Sequence, residues 1–213
     1  MAVAAKICGL GDEQSVQTAI AGGAAWVGFV FFPPSPRALS PARAAELARL
    51  VPEGVRKVGL FVAPDDALIA EVLAAVPLDL IQLHGQETPE RVAEIREKFG
   101  VPVMKAVAVA EPADLDRARA YEAVADLLLF DARPPKGATR PGGNALAFDW
   151  ALLKGSEWRR PWLLAGGLDA GNVAEAVRAS GAAAVDVSSG VESAPGRKDP
   201  ALIKAFLDAV KAL

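Results

Sequence analysis

Residues 4–31 read AAKICGLGDEQSVQTAIAGGAAWVGFVF, and this stretch contains one complete strand–helix–strand unit. The runs Ala4–Cys8 and Trp26–Phe31 are short and almost continuously apolar, which is typical of parallel strands that are covered on both faces. Between them, Asp12–Ala21 carries apolar residues at three- and four-residue spacing, as an amphipathic helix does. This order of elements predicts a parallel sheet.

The same unit repeats along the chain. Six further apolar runs predict strands at Arg56–Phe61, Leu80–Leu83, Val103–Val107, Leu127–Asp131, Trp162–Ala165 and Ala184–Val187. Amphipathic segments predict helices at Pro41–Leu50, Asp65–Ala75, Thr88–Phe99, Pro112–Ala120, Ala170–Ala179 and Asp199–Ala212, with a weak short helix near Phe148–Leu153. Eight units of about 27 residues use the whole chain, which favours a closed barrel over an open sheet. We therefore predict an α/β fold, a single (β/α)₈ TIM barrel with an eight-stranded parallel sheet, as one domain over residues 1–213.

Composition narrows the classes of partner. Hydrophobic residues make up 52 % of the chain, and the formal net charge is −3 with no basic run. We expect neither nucleic acid nor a membrane surface as a partner, because both need a basic excess. The single cysteine cannot form an intramolecular disulfide, no signal peptide is evident at the N-terminus, and no apolar run reaches the ~20 residues of a membrane helix. A cytoplasmic protein with a small-molecule partner is expected.

In a barrel of this type the chemistry lies at the carboxyl ends of the strands. The first strand ends in Cys8, and Lys6 lies two residues earlier on the same face of the strand. A neighbouring cation lowers the pKa of a thiol, so we expect Lys6 to favour the Cys8 thiolate. The alternative is a small buried hydrophobic residue.

Three other polar residues follow predicted strands. Asp131 closes the apolar run LLLF, where burial favours the protonated form that a general acid needs. Arg37 follows three prolines and has the planar fork that binds a carboxylate. His84 is the only histidine and stands at the end of the fourth strand. The alternatives are an aspartate bonded to loop amides, a solvated arginine and a structural histidine.

The last two strands are followed by residues typical of a phosphate site. Gly167 follows the seventh strand, and Ser188, Ser189 and Gly190 follow the eighth. Loops at these two places, with the start of a short extra helix, recur as the phosphate site of this fold. The Gly- and Pro-rich stretch Ala132–Asn144, which contains Lys136 and Arg140, is predicted to be an active-site loop or, alternatively, a variable surface loop.

Motifs in seven of the eight units resemble the phosphoribosylanthranilate isomerase family. They are KICGL, GFVFFPPSPR, VGLFV, QLHG, FD, LAGGL and VDVSSGVE, in this order along the chain. The resemblance implies an aldose–ketose isomerase of tryptophan biosynthesis that acts on N-(5-phosphoribosyl)anthranilate by an Amadori rearrangement. It also implies a monomer.

The resemblance assigns roles to matching residues. Cys8 would be the general base and Asp131 the general acid, and Arg37 would hold the anthranilate carboxylate. Gly167, Ser188, Ser189 and Gly190 would bind the phosphate, with Asp186 near the ribose and His84 near the anthranilate. The imine of the substrate is its own electron sink, so no metal and no cofactor is expected. The chain departs from the family at Asn144-Ala145, where Thr-Gly is usual.

Two other functions remain open at this point. One is the histidine-pathway isomerase, or a dual-specificity relative, which performs the same rearrangement on a different substrate. The acid and base of those enzymes are a pair of aspartates, with Asp in the place of Cys8. Cys8 therefore argues against them. The other is a non-catalytic barrel that binds a phosphorylated metabolite, which could lose Cys8 or Asp131.

Overall fold

The computed structural model describes residues 2–134, 137, 142–143 and 147–213. Eight parallel strands form a closed barrel in chain order, with the last strand paired to the first. This confirms the predicted (β/α)₈ barrel. The strands are β1 (Ala4–Cys8), β2 (Trp26–Val30), β3 (Arg56–Phe61), β4 (Leu80–Leu83), β5 (Val103–Val109), β6 (Leu127–Ala132), β7 (Trp162–Leu164) and β8 (Ala184–Val187).

Helices follow most of the strands, close to the predicted bounds. They are α1 (Glu13–Ala21), α2 (Pro41–Ala48), α3 (Asp66–Ala75), α4 (Pro89–Phe99), α5 (Pro112–Ala118), α6 (Val173–Ser180) and α7 (Pro200–Lys211). The hydroxyls of Ser40 and Thr88 accept hydrogen bonds from the first turns of α2 and α4, and a proline stands at the start of each helix. These caps define where the two helices begin. Within the described ranges, none of the helices is long and apolar enough to cross a membrane.

Alternation along the strands decides which side chains enter the barrel. On β1, Ala5 and Ile7 belong to the core cluster that packs against the helices, so Lys6 and Cys8 point inward. On β6, Leu127 and Leu129 belong to a separate cluster inside the barrel, which puts Asp131 on the inner face as well. The same parity on β4 and β8 places Gln82 and Asp186 inside. The inner face therefore changes from apolar to polar toward the carboxyl ends of the strands.

Between β6 and β7, the described residues contain a 3₁₀ helix at Trp150–Leu153, where a weak short helix was predicted. Two elements differ from the prediction. A 3₁₀ helix, Arg119–Ala123, extends α5. Between β8 and α7, a short antiparallel hairpin is formed by β9 (Glu192–Ala194) and β10 (Arg197–Lys198). The hairpin was not predicted because five residues in two strands carry too little periodicity to be recognised.

Candidate active site

A pocket of about 780 Å³ opens at the carboxyl ends of the barrel strands. Its walls contain eight of the nine residues singled out in the sequence: Cys8, Arg37, His84, Asp131, Gly167, Asp186, Ser188 and Ser189. Residues that are far apart in the chain thus meet in one cavity, as expected for side chains at the carboxyl ends of barrel strands.

Cys8 lies at the carboxyl end of β1, where its side chain is almost fully buried. It pairs in register with Gly28 of β2. A methyl group on Gly28 would lie 3.0 Å from Cys8 Sγ and 3.3 Å from Lys6 Nζ. Gly28 therefore provides the space that the thiol and the ammonium group share. Sequence reasoning missed this residue, although a glycine inside an apolar strand indicates a close approach of neighbouring atoms.

The expected lowering of the Cys8 pKa by Lys6 is wrong in its net direction. Burial raises the pKa of the Cys8 thiol, and this outweighs the lowering by the cation of Lys6. The physical reason is that desolvation disfavours the charged thiolate. In addition, Lys6 is not an isolated charge, since its Nζ lies 2.8 Å from Asp186 Oδ1 in a buried ion pair. The negative charge of Asp186 itself raises the pKa of the thiol.

Asp131 is fixed at the end of β6 by contacts to both carboxylate oxygens. Oδ1 accepts a hydrogen bond of 2.8 Å from the backbone N–H of Ala132, and Oδ2 lies 3.1 Å from His84 Nε2. Gly166, with φ +88°, lets the β7 loop approach, since a methyl group there would lie 3.1 Å from Asp131 Oδ1. The predicted acid is thus oriented by its own strand and by His84.

His84 is itself held by a residue that the sequence analysis did not single out. Its Nδ1 lies 2.9 Å from Nε2 of Gln82, which is fully buried inside the barrel. With the Gln82 amide as donor, His84 Nδ1 accepts and Nε2 carries the hydrogen toward Asp131. The sequence did contain a signal for this contact, because Gln82 is a polar residue in the otherwise apolar strand LIQL.

Arg37 is buried and forms a two-bond ion pair with Glu192. The distances are 2.6 Å from Nε to Oε1 and 2.8 Å from Nη2 to Oε2. Lys198 Nζ lies 2.8 Å from the same Glu192 Oε1 and donates to the carbonyl of Ser188 at 2.8 Å. Burial raises the pKa of Glu192, but Arg37 and Lys198 outweigh it and hold that pKa below its ordinary value. Neither Glu192 nor Lys198 was singled out in the sequence.

The predicted phosphate loops lie side by side. Gly167 has φ +65°, and its backbone N–H, like that of Ser188, donates to no residue within the described ranges. The Ser188 hydroxyl donates to the carbonyl of Cys8 at 3.1 Å. Gly190 is not part of the pocket wall; any side chain there would collide with the carbonyl of Leu168. Gly190 thus allows the β7 and β8 loops to touch.

Only part of the predicted active-site loop falls within the described residues. A methyl group on Gly142 would lie 2.7 Å from both Asp131 Oδ2 and His84 Nε2, and one on Gly143 would lie 2.7 Å from Arg37 Nη1. These two glycines therefore cover the acid and the arginine closely. The predicted loop residues Lys136 and Arg140, and the departure at Asn144-Ala145, lie outside the described residues.

The chain matches a known family over nearly its whole length. The family model described as N-(5'phosphoribosyl)anthranilate (PRA) isomerase matches residues 5–209. The chain belongs to this family. The N-(5'-phosphoribosyl)anthranilate isomerase of Rhodospirillum centenum is 63 % identical over 214 residues and covers 100 % of both chains.

Solved PRA isomerases have the same fold. The structure of monomers of the dimeric phosphoribosylanthranilate isomerase of Thermotoga maritima has a TM-score of 0.85 and 36 % identity. A PRA isomerase in complex with reduced 1-(o-carboxyphenylamino)-1-deoxyribulose 5-phosphate has the same two values. In both cases the match covers 99 % of this chain and 100 % of the other. The family resemblance stated from the sequence motifs is thereby confirmed.

Proposed function

We propose that this protein converts N-(5'-phosphoribosyl)anthranilate into 1-(2-carboxyphenylamino)-1-deoxyribulose 5-phosphate in tryptophan biosynthesis. The observation that carries the proposal is the meeting of a thiol, Cys8, and a carboxyl group, Asp131, in one pocket of a chain that belongs to the PRA isomerase family. The complex of a solved relative with the reduced form of this product supports the same substrate class.

The first step requires an acid. Asp131 donates a proton to the ring oxygen of the furanose, the bond between that oxygen and C1 breaks, and a cationic imine forms between C1 and the anthranilate nitrogen. His84 and the N–H of Ala132 hold the carboxyl group in one orientation. A positioned acid of this kind typically contributes 10²- to 10⁴-fold to the rate.

The second step requires a base. The Cys8 thiolate removes the proton from C2, the electron pair moves toward the imine nitrogen, and the resulting enolamine tautomerises to the ketone. Asp131 loses one proton and Cys8 gains one, so the isomerisation is balanced overall. Burial raises the pKa of Cys8. The cationic imine that forms beside the thiol would lower this pKa again and so favour the thiolate in this step.

The two charged ends of the substrate would be held by different groups of the pocket. The backbone N–H groups of Gly167 and Ser188, which donate to no described residue, suit the phosphate, and the guanidinium of Arg37 suits the carboxylate. Asp186 lines the same pocket, where we place the ribose beside it. Binding at both ends orients C1 and C2 between acid and base, which is what such a reaction needs.

The decisive experiment compares two aspartates that flank the same strand. Asp131→Asn should lower kcat by about 10²-fold or more with the fold retained, as followed by loss of substrate fluorescence. Asp126 precedes β6 at the opposite end of the barrel, where it binds Arg96 and the N–H of Val103. Asp126→Asn should therefore reduce stability and leave kcat within about threefold.

A parallel comparison tests the base. Cys8→Ala should abolish most turnover while its circular dichroism spectrum stays that of the wild type. Absence of wild-type turnover would refute the proposed function. Near-normal rates in Cys8→Ala would leave the isomerase standing and refute the choice of base.

We further propose a monomeric, cytoplasmic enzyme whose residues 1–213 form one domain. The relative from Thermotoga maritima is described as dimeric, so the oligomeric state needs its own measurement. Light scattering after size exclusion should give the monomer mass of 22.1 kDa, and calorimetry should show one cooperative unfolding transition. A mass twice that value would refute the monomer.

A further inference from the structure

The carboxylate of Glu192 is saturated by four donors. Oε1 receives Arg37 Nε and Lys198 Nζ, and Oε2 receives Arg37 Nη2 together with the backbone N–H of Gly196 at 3.2 Å. The Glu192 side chain is 4 % exposed. This carboxylate has no room for a further ligand and cannot rotate without breaking several charge-assisted hydrogen bonds.

The pair with Glu192 uses only one side of the Arg37 guanidinium. Glu192 occupies the edge formed by Nε and Nη2, and no described residue places a second carboxylate on the outer edge formed by Nη1 and Nη2. Nη1 forms no hydrogen bond to the residues the structure describes. Gly143 lies over this edge, and a side chain there would come within 2.7 Å of Nη1. Arg37 and Gly143 both line the pocket.

The hairpin β9–β10 supplies Glu192, the ion-pair partner of the arginine, and Lys198, the second cation bound to Glu192. It presents Glu192 from one strand and Lys198 from the other, and Gly196 at its turn has φ +80°. A methyl group on Gly196 would lie 2.5 Å from the carbonyl of Pro36, the residue before Arg37. The hairpin thus packs against the loop that carries the arginine and fixes both its backbone and its side chain.

The charges of this cluster do not cancel. Arg37 and Lys198 are two cations with one anion, Glu192, between them, and all three side chains are at least nine-tenths buried. A buried excess of one positive charge favours binding of one anion. Lys198 also donates to the carbonyl of Ser188 in the predicted phosphate loop. Arg37 bonds to no described residue of those loops, so it is the cation suited to the carboxylate end of the substrate.

We propose that Glu192 is a positioning residue that grips Arg37 from the side and so presents its outer edge to the carboxylate of the substrate. The inference rests on the proposed function, because it takes the anthranilate carboxylate as the ligand of Arg37. Glu192 would act through Arg37 and touch neither the substrate nor the reacting atoms. Its effect would be on selectivity for a carboxylate-bearing ring.

The test uses two inhibitors that differ in one group. They are the reduced product, 1-(2-carboxyphenylamino)-1-deoxyribitol 5-phosphate, and its phenylamino counterpart without the carboxylate. Wild-type protein should bind the first more tightly, and Glu192→Gln should reduce this preference by about tenfold. The KM should rise by a similar factor with kcat within about threefold, and affinity for inorganic phosphate should stay unchanged.

Three further variants make the result specific. Ser193→Ala, on the same hairpin but exposed, should behave like the wild type. Adding Glu192→Gln to Arg37→Ala should cause no further loss of preference, because the two residues act as one unit. If Glu192→Gln does not fold, Glu192→Asp keeps the charge but shortens the reach, and it should lower the preference to a smaller extent.

The outcomes separate this inference from the proposed function. A wild type without turnover refutes the function itself. If the wild type turns over and Glu192→Gln keeps the full preference for the carboxylate, the positioning role is refuted while the isomerase stands. Equal weakening of both inhibitors would indicate a merely structural role for Glu192 and would also refute the inference.

Discussion

Replacing Lys6 with methionine should lower the free energy of unfolding by about 3–5 kcal/mol. Lys6 is fully buried and Asp186 is 7 % exposed, with 2.8 Å between Nζ and Oδ1. Methionine nearly fills the space of the lysine stem, so little packing is lost. The cost comes from Asp186, which keeps its charge inside the barrel without a partner.

The pH of the unfolding experiment is chosen so that Lys6 is fully protonated. Burial lowers this pKa, but Asp186 and Cys8 outweigh the effect and hold it above its ordinary value of 10.5. A group whose pKa is raised by folding contributes stability that is complete below its unfolded pKa and is lost as pH rises through the folded one. At pH 7.5 the whole contribution is present.

The assay is thermal unfolding with a matched control on another barrel strand, β3. For a chain of this size, 3–5 kcal/mol corresponds to a fall in Tm of about 6–20 °C. Lys57 forms the analogous pair with Asp79 at 3.0 Å, but Asp79 is 42 % exposed. Lys57→Met should therefore cost about 1 kcal/mol or less.

Two results would contradict this reasoning. One is an equal loss of stability in Lys6→Met and Lys57→Met, because burial would then not decide the cost. The other is a double variant, Lys6→Met/Asp186→Asn, that is less stable than Lys6→Met alone. Removal of the unpaired charge should instead restore part of the lost stability.

Three further predictions concern the pocket. Gly28→Ala should lower kcat by about tenfold or more at nearly unchanged substrate affinity. The reason is that a methyl group there would lie 3.0 Å from Cys8 Sγ and displace the thiol. Val27→Ala on the same strand is the control for altered packing. Gly190→Ala should weaken binding of inorganic phosphate by about tenfold or more, measured by calorimetry, since it forces the β8 loop away from Leu168. Because burial raises the pKa of Cys8, kcat/KM and the alkylation rate of this only thiol should both keep rising above the pH at which a free cysteine is fully reactive; a plateau below pH 8 in both would contradict the raised pKa.

The architecture was largely predictable because it depends on local patterns. Each strand is a short apolar run, and several helices begin at a Ser, Thr or Asp cap, so their bounds could be assigned to within a few residues. Eight such units favour the closed barrel, and in this fold the carboxyl ends of the strands meet at one end of the barrel. This is why residues as distant as Cys8 and Ser189 were expected in one pocket, where both lie.

The partners of these residues were not predictable in the same way. Glu192 and Lys198 lie on a hairpin too short to leave a periodic signal. Nothing in the neighbouring sequence indicates that Glu192 pairs with both Arg37 and Lys198. Gln82 was visible as a polar residue in a buried strand, but its contact with His84 needs side-chain geometry. Lys6 was recognised beside Cys8, yet its pairing with Asp186 comes from a strand 180 residues away.

The sequence by itself therefore determined the fold, through the periodicity of its apolar residues, which is a local property of the chain. Its motifs also resemble one family, and that resemblance implied the acid and the base. Only the tertiary structure decided the electrostatics: which charges pair, which remain in excess, and that burial outweighs Lys6 in the pKa of Cys8. The physical reason is that such energies depend on distance and desolvation in three dimensions, which no spacing along the chain specifies.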